Sequence, residues 1–81
     1  MAVELRLERL SEEMEYGTIL RWLKREGDPV AAGEVVVEVE ADKANVELQA
    51  PATGVLQTIL AVQGDEVKVD EAIAIIAEDT T

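Results

Sequence analysis

The chain opens on an alternation of apolar and charged residues. Val3, Leu5 and Leu7 are separated by single charged residues, and a period of two is typical of a strand with one buried face. Further apolar or alternating runs occupy residues 18–23, 35–41, 44–49, 54–62 and 73–77, with brief pieces near Val30 and Val67. The pattern therefore predicts a chain built from short strands.

Turn-forming residues separate these runs at close intervals. They are Gly27-Asp28-Pro29, Ala32-Gly33, residues 51–54 and Gly64-Asp65. Short strands with frequent turn signals indicate an all-β sandwich or flattened barrel rather than a helical bundle. Residues 11–16 begin with Ser-Glu-Glu and could open a helical turn, but Gly17 follows at once, so we predict a loop there.

The two halves of the chain repeat each other. A shift of 37 positions places Gly17 on Gly54, Leu23 on Leu60, Gly27-Asp28 on Gly64-Asp65, Val30 on Val67, Glu34 on Glu71 and Asp42 on Asp79. Two units are too few for a solenoid, so the repeat predicts one domain with a pseudo-two-fold axis. The counterpart of Lys43 is then Thr80, which predicts that this lysine and the C-terminus lie at opposite ends.

Residues 36–49 predict a hairpin with Asp42 and Lys43 at its tip. With these two as the central residues of a tight turn, each apolar residue of one strand faces an apolar partner. The facing pairs are Ala41 with Ala44, Val39 with Val46, Val37 with Leu48, Glu40 with Asn45, and Glu38 with Glu47. A slip of one residue would expose a core face, so the register is well specified. Because Asp-Lys is not Asp-Gly, we expect a type I or similar turn.

Composition restricts the chemistry open to this chain. There is no Cys and no His, which excludes thiol and imidazole catalysis, disulfides and the usual zinc sites. A length of 81 residues fits one small domain. The formal charge of −11 disfavours nucleic acid and anionic membranes as partners and favours a basic protein surface.

The chain shows neither a membrane span nor a secretory signal pattern. No run approaches the roughly 20 apolar residues that a span needs, and the opening residues lack the order of basic, apolar and small segments typical of a signal peptide. We therefore expect a cytoplasmic location, or the mitochondrial matrix if the source is eukaryotic.

Several segments together form a recognisable pattern. They are Leu10-Ser11, Met14-Glu15-Tyr16-Gly17-Thr18-Ile19, Trp22-Leu23-Lys24, Glu26-Gly27-Asp28, Val39-Glu40-Ala41-Asp42-Lys43-Ala44, Gly54-Val55-Leu56 and Gly64-Asp65. With them, nearly the whole chain resembles the lipoyl domains of the acyltransferase components of 2-oxo acid dehydrogenase complexes. The resemblance departs at Ala41, Glu8 and Asp70, where the family often has Thr, Pro and Gly, and these departures leave the lysine untouched.

The resemblance implies both a fold and a cofactor. The fold is a flattened eight-stranded barrel or sandwich of two four-stranded antiparallel sheets with pseudo-two-fold symmetry. The lipoyl domain would span residues 1–79, and a linker would start at residues 80–81. Lipoic acid would be attached in amide linkage to the ε-amine of Lys43.

The resemblance also implies a carrier without catalytic residues of its own. Its lipoyl-lysine would accept an acyl group from a thiamin-dependent 2-oxo acid decarboxylase and deliver it to an acyltransferase catalytic domain for transfer to coenzyme A. Dihydrolipoamide dehydrogenase would then reoxidise the dithiol, and a lipoate ligase or lipoyl transferase would attach the group. The domain would be monomeric within a dihydrolipoyllysine-residue acyltransferase. Residues 15–28 look most like acetyltransferases of pyruvate dehydrogenase.

Six residues are candidates for recognition by these partners. They are Glu40, Asp42, Ala44, Glu12, Glu13 and Glu15. Asp42 and Ala44 flank the target lysine and are expected to be read by the lipoylating enzyme, with Glu40 beside them. The three loop glutamates, which in the family lie beside the hairpin, are expected to help select the decarboxylase. The alternative roles are turn formation and strand pairing for the flanking residues and solubility for the glutamates.

Three other functions remain open at this stage. A biotin carrier shares the fold but usually has Met on both sides of its lysine, and Asp42 and Ala44 argue against it. An unmodified interaction or scaffold domain would use Lys43 only for solubility. A free-standing enzyme is the least favoured, because the chain is short and has no His or Cys. Trp22 is interpreted as a core residue rather than a ligand contact.

Overall fold

The computed structural model describes residues 2–9, 12–41 and 43–78. Within them lie eight strands, β1 (Ala2–Arg6), β2 (Tyr16–Trp22), β3 (Pro29–Val30), β4 (Val35–Ala41), β5 (Ala44–Gln49), β6 (Gly54–Ile59), β7 (Glu66–Lys68) and β8 (Ala72–Glu78). The all-β prediction is confirmed. Strands β4 and β5 match the predicted runs residue for residue, whereas β6 ends at Ile59, three residues earlier than expected. No helix in the described residues could cross a membrane.

The strands form two four-stranded antiparallel sheets that pack face to face. One sheet has the order β1-β8-β6-β3 and the other the order β5-β4-β2-β7. Every buried residue in the described ranges is apolar, and the largest fully buried side chains include Leu7, Ile19, Leu56, Ile73 and Ile76. Burial of this apolar surface is the main force that holds the two sheets together. The sandwich implied by the resemblance is confirmed.

The internal repeat corresponds to a pseudo-two-fold relation between the halves. A shift of 37 positions carries β2, β3 and β4 onto β6, β7 and β8. Equivalent turns repeat the same contact: Asp28 accepts a hydrogen bond from the amide of Arg25, and Asp65 accepts one from Val62, each 2.9 Å long. The carboxylate closes each turn in the same way, so the predicted pseudo-symmetry is confirmed.

Two related bulges change the alternation that the sequence suggests. The pairing of β4 with β5 shifts register at Val36, and the pairing of β8 with β1 shifts at Ile73. Each bulge turns two consecutive residues inward, so Val36 and Val37 are both fully buried, as are Ile73 and Ala74. The bulges therefore let two strands contribute more apolar surface to the core than strict alternation allows.

The turn between β4 and β5 and the open end of the β1–β8 pair lie at opposite ends of the sandwich. Strand β2 begins beside the end of β4, and Leu7 packs against Gly17 at that side. From Leu7, β1 leads back along the sandwich to Ala2, which pairs with Ala77. We call the end that contains Lys43 the lysine end. The predicted counterpart of Lys43, Thr80, lies outside the described residues.

Candidate functional site

Lys43 occupies the tip of the β4–β5 hairpin. It is exposed, and its backbone has a φ of 64°. The expected type I turn is wrong at this residue, because the second central residue of such a turn has a negative φ. A left-handed conformation costs an L-residue other than Gly roughly 1 kcal/mol. Asp42, the other predicted central residue, lies outside the described residues.

The strands below the tip have the predicted register. Ala41 pairs with Ala44, Val39 with Val46, Val37 with Leu48, Glu40 with Asn45, and Glu38 with Glu47. Ala41, Val39 and Val37 are buried in the core, which fixes β4 and prevents the hairpin from slipping. The lysine is therefore presented on a stiff ribbon whose inner face is anchored.

The outer face of this ribbon is polar. Glu40 is exposed and lies between Asn45 on one side and Thr18 on the other. The opposed pair Glu38 and Glu47 is compensated by the neighbouring strand, because Glu38 accepts a hydrogen bond of 2.9 Å from Nε of Arg21. The predicted like-charge contact therefore exists, and a cation on β2 offsets part of its repulsion.

The loop between β1 and β2 approaches the lysine end. Residues 8–16 fill the interval between Leu7 and Gly17, where the second half has residues 51–53 between the equivalent Ala50 and Gly54. The six additional residues are held by buried Met14 and by a hydrogen bond of 3.1 Å from the amide of Val69 to the carbonyl of Glu15. The loop is thus a feature of the first half that the second half lacks.

The candidate loop glutamates are all exposed. Glu12, Glu13 and Glu15 present their side chains to solvent, and within the described residues no hydrogen bond or ion pair joins them to Lys43. The carbonyl of Glu12 accepts a hydrogen bond of 3.0 Å from Arg9. Ala44 is exposed at the start of β5. The structure therefore brings the loop to the lysine end without fixing its carboxylates against the amine.

Gly17 supports the hairpin from beneath, a role that sequence reasoning did not assign. A Cβ atom at Gly17 would lie 2.8 Å from Cγ1 of Val39 and 3.0 Å from Cδ2 of Leu7. The absence of a side chain therefore lets the core side chains of the hairpin pack directly against β2. The alignment of Gly17 with Gly54 in the repeat was the sequence signal for this close approach.

Other conspicuous groups lie away from the tip. Trp22 is half-buried against the core and donates a hydrogen bond of 2.8 Å from Nε1 to the carbonyl of Ala61, which confirms its interpretation as a core residue. The groove beside it has a volume of about 480 Å³ and is open to solvent. The described residues contain no group of three or more His, Cys, Asp or Glu arranged to hold a metal.

The geometry at the tip suits covalent modification by another protein. The ε-amine of Lys43 is exposed, and no ion pair in the described part of the chain engages it. A primary amine can form an amide with an activated acid, and a tight hairpin tip is reachable from most directions. The site can therefore serve as an attachment point for an acid.

Comparisons with known proteins agree with this geometry. The family model described as Biotin-requiring enzyme matches residues 3–76. The chain is 48% identical over 75 residues to the dihydrolipoyllysine-residue succinyltransferase component of the 2-oxoglutarate dehydrogenase complex of Bacillus subtilis, covering 93% of this chain and 18% of the relative. It is 49% identical over 77 residues to an acetyltransferase component of the mitochondrial pyruvate dehydrogenase complex of Arabidopsis thaliana, covering 94% of this chain and 14% of the relative.

A solved structure has the same fold. The lipoyl domain of the 2-oxoglutarate dehydrogenase complex of Azotobacter vinelandii superposes with a TM-score of 0.79 and 29% sequence identity, covering 96% of this chain and 99% of that domain. The chain spans less than a fifth of the length of the acyltransferase relatives that it matches.

Proposed function

Because the chain belongs to the Biotin-requiring enzyme family, as one of its lipoyl domains, we propose that Lys43 carries lipoic acid in amide linkage and that the domain acts as an acyl carrier. The observation that supports the attachment site is the exposed amine at the tip of a hairpin whose inner face is locked in the core. A rigid support keeps the amine accessible to the attaching enzyme and afterwards fixes the base of the arm at the tip of the hairpin.

The residues at the tip fit this group. When bound, the lipoyl group would supply a dithiolane that can be reductively acylated and can then pass the acyl group to an acceptor thiol, chemistry that belongs to the cofactor. Lys43 provides the attachment, and amide formation removes its positive charge, which makes the domain still more acidic than −11. We assign Asp42 and Ala44 to recognition by a lipoate ligase or lipoyl transferase, with Glu40 on the adjacent outer face.

The parent protein is proposed to be an acyltransferase component of a 2-oxo acid dehydrogenase complex. Succinyltransferase and acetyltransferase relatives match at 48% and 49% identity, so we propose the class of complex rather than the pyruvate member. Its partners would be a thiamin-dependent decarboxylase, the acyltransferase catalytic domain and dihydrolipoamide dehydrogenase. Tethering would hold the arm near their active sites at high effective concentration without tight binding.

Partner selection is proposed to use the acidic loop at the lysine end. Glu12, Glu13 and Glu15 are exposed and would face a basic entrance of the decarboxylase. Such contacts steer encounter more than they add affinity, which suits a carrier that must leave each active site. We further propose that the domain is monomeric, that it spans residues 1–79 with a linker from residue 80, and that it works in the cytoplasm or the mitochondrial matrix.

The test is to express the chain with a lipoate ligase and lipoate, and separately with a biotin ligase and biotin, and to measure the intact mass. We expect one lipoyl group and no biotin, because Asp42 and Ala44 stand where biotin carriers usually have Met. Lys43→Gln should abolish the mass gain. The matched controls are Lys24→Gln and Lys68→Gln, which should keep it, since those are the two remaining lysines.

The interpretation of this test depends on an intact fold. Lys43 is exposed, so Lys43→Gln should leave the urea unfolding midpoint unchanged. A lipoyl group found on Lys24 or Lys68, biotin in place of lipoate, or no modification of a folded chain would each contradict the proposal.

A further inference from the structure

We propose that the outer face of Tyr16 is a resting site for the lipoyl arm on Lys43, so that the arm divides its time between this ring and solvent. The inference rests on the proposed attachment at Lys43. It assigns a binding role to a side chain that neither the fold nor the attachment reaction requires.

The first observation is the position of the exposed apolar side chains. Among the residues that the structure describes, five large hydrophobic side chains are exposed, namely Tyr16, Leu23, Val55, Leu60 and Val62. Leu23, Leu60 and Val62 lie in the two related turns beside the Trp22–Ala61 hydrogen bond, and Val55 pairs with Ala77 near the chain ends. Tyr16 is the member of this set that lies at the lysine end.

The register places Tyr16 beside the hairpin tip. Thr18 pairs with Glu40, and Tyr16 is two residues closer to the turn along the same antiparallel pair. Adjacent antiparallel strands are separated by about 5 Å, so the end of β2 at which Tyr16 lies is close to the end of β4 at Ala41.

The ring is directed away from the core. Side chains alternate along β2, with Gly17 and Ile19 buried and Tyr16 48% exposed. On its other side Tyr16 pairs with Lys68 of β7, which is also exposed. The ring thus forms an apolar platform on an otherwise charged outer face.

The chemistry of the arm matches this platform. Lipoylation converts the charged Lys43 side chain into a long uncharged arm of methylene groups that ends in two sulfur atoms. An apolar chain in water gains free energy by covering apolar surface, and sulfur makes favourable contacts with aromatic rings. A single exposed ring offers a weak contact, so Tyr16 would hold the arm briefly and release it to a partner enzyme.

The composition of the chain makes the test specific. The sequence contains one Tyr and one Trp, so ring labels on these residues give one reporter at the lysine end and one remote from it. We would prepare lipoylated and unmodified domains, confirm them by intact mass, and record nuclear Overhauser effects between the dithiolane protons and both rings. The expected result is cross-peaks and a changed chemical shift at Tyr16, with the Trp22 signals unchanged.

Three variants test whether the contact depends on the ring of Tyr16 rather than on any exposed apolar side chain. Tyr16→Ser should abolish the contact and raise the mobility of the lipoyl-amide NH at Lys43, measured by ¹⁵N relaxation of a Lys-labelled sample, while Tyr16→Phe should keep the mobility of the native domain. Leu60→Ser is the matched control, because Leu60 is 52% exposed and lies away from the tip, and it should change neither signal.

The outcomes distinguish this inference from the proposed function. A folded domain that gains the lipoyl mass on Lys43, but shows no Tyr16 cross-peaks and the same arm mobility in Tyr16→Ser, overturns the resting site and leaves the carrier function standing. A folded domain that gains no lipoyl mass overturns both.

Discussion

Among the residues that the structure describes, two other than Gly adopt a left-handed backbone, Lys43 with a φ of 64° and Asp70 with a φ of 69°. The positive φ has a different structural context at each of these residues. Asp70 is the counterpart of Gly33, which has a φ of 87°, so the fold requires a positive φ there in both halves. At the tip, the left-handed residue is the one proposed to be modified.

Asp70→Gly should stabilise the domain by several tenths of a kcal/mol and up to about 1 kcal/mol, because glycine relieves the steric cost of a positive φ but loses more entropy on folding. The reciprocal change Gly33→Asp should destabilise it by a similar amount. Urea unfolding of the two variants measures both effects. Equal loss of stability in both variants would contradict the symmetry argument.

The conformation of Lys43 was beyond the reach of sequence reasoning for a physical reason. The facing apolar pairs identify which two residues form the turn, because burial of one face fixes the register. They do not determine the turn type, since Asp and Lys give no strong preference for a positive φ in the way that Gly does. The place of the candidate site followed from the pattern, whereas its backbone geometry did not.

Several strands are joined by turns that a carboxylate closes. In the turn before β4, Glu34 accepts a hydrogen bond of 3.1 Å from the amide of Ala31 and forms an ion pair of 3.0 Å with Lys24. The amide of Ala31, followed by the side chain of Lys24, lowers the pKa of Glu34 from its ordinary value of 4.5. The charged carboxylate is therefore favoured in the folded state.

The stability that Glu34 contributes should be lost in acid. Since its folded pKa lies below the unfolded value, the contribution is fully present above pH 4.5 and disappears as pH falls through the folded pKa. We expect the urea unfolding midpoint of the wild type to be higher than that of Glu34→Gln at neutral pH. The difference between the two midpoints should disappear as the pH falls below 4.5.

The control for this experiment is Glu71→Gln, at the equivalent position of the second half. Within the described residues no hydrogen bond to the Glu71 carboxylate is present, so this variant should not reproduce the neutral-pH loss. A gap between wild type and Glu34→Gln that persists unchanged into acid would refute the assignment.

The two equivalent strand glycines should differ sharply when replaced by Ala. At Gly17 the added methyl would meet ends of the Leu7 and Val39 side chains, whereas at Gly54 it would clash with the backbone carbonyl oxygen of Ala77. Side chains can yield and backbone cannot, so we expect a loss of about 1–2 kcal/mol for Gly17→Ala and about 3 kcal/mol or more for Gly54→Ala. Thermal and urea unfolding would rank them, and the reverse ranking would contradict the packing described.

Strand positions could be predicted well, but register shifts in the strand pairing could not. The strands at residues 35–41 and 44–49 could be predicted because valines alternate with polar residues and meet apolar partners across the hairpin. The bulges at Val36 and Ile73 arise from the fit of one sheet against the other, a tertiary requirement that no local pattern encodes.

The chain carries a formal charge of −11, and the folded body has extents of only 40 × 21 × 17 Å. Self-repulsion at this density destabilises the compact state. The same acidity would steer the domain toward basic partner surfaces.

Salt should therefore stabilise the domain. Raising ionic strength from about 0.01 M to about 0.15 M shortens the screening length from roughly 30 Å to roughly 8 Å, and the melting temperature should rise over this range. The triple variant Glu12→Gln, Glu13→Gln, Glu15→Gln removes three charges from an exposed loop and should show a weaker salt dependence. A melting temperature that falls with salt would indicate that ion pairs outweigh repulsion.

The pseudo-two-fold also makes the strand pairing at the lysine end equivalent to the strand pairing at the opposite end of the sandwich. Ala2 pairs with Ala77 as Asn45 pairs with Glu40 beside the lysine tip. Strands β4 and β5 are consecutive and are joined by the turn that holds Lys43, whereas their equivalents β8 and β1 are the last and first strands of the described residues. A circularly permuted chain, with its present ends joined and new ends opened between residues 42 and 43, would keep every strand pairing. It would no longer hold Lys43 at the tip of a continuous hairpin.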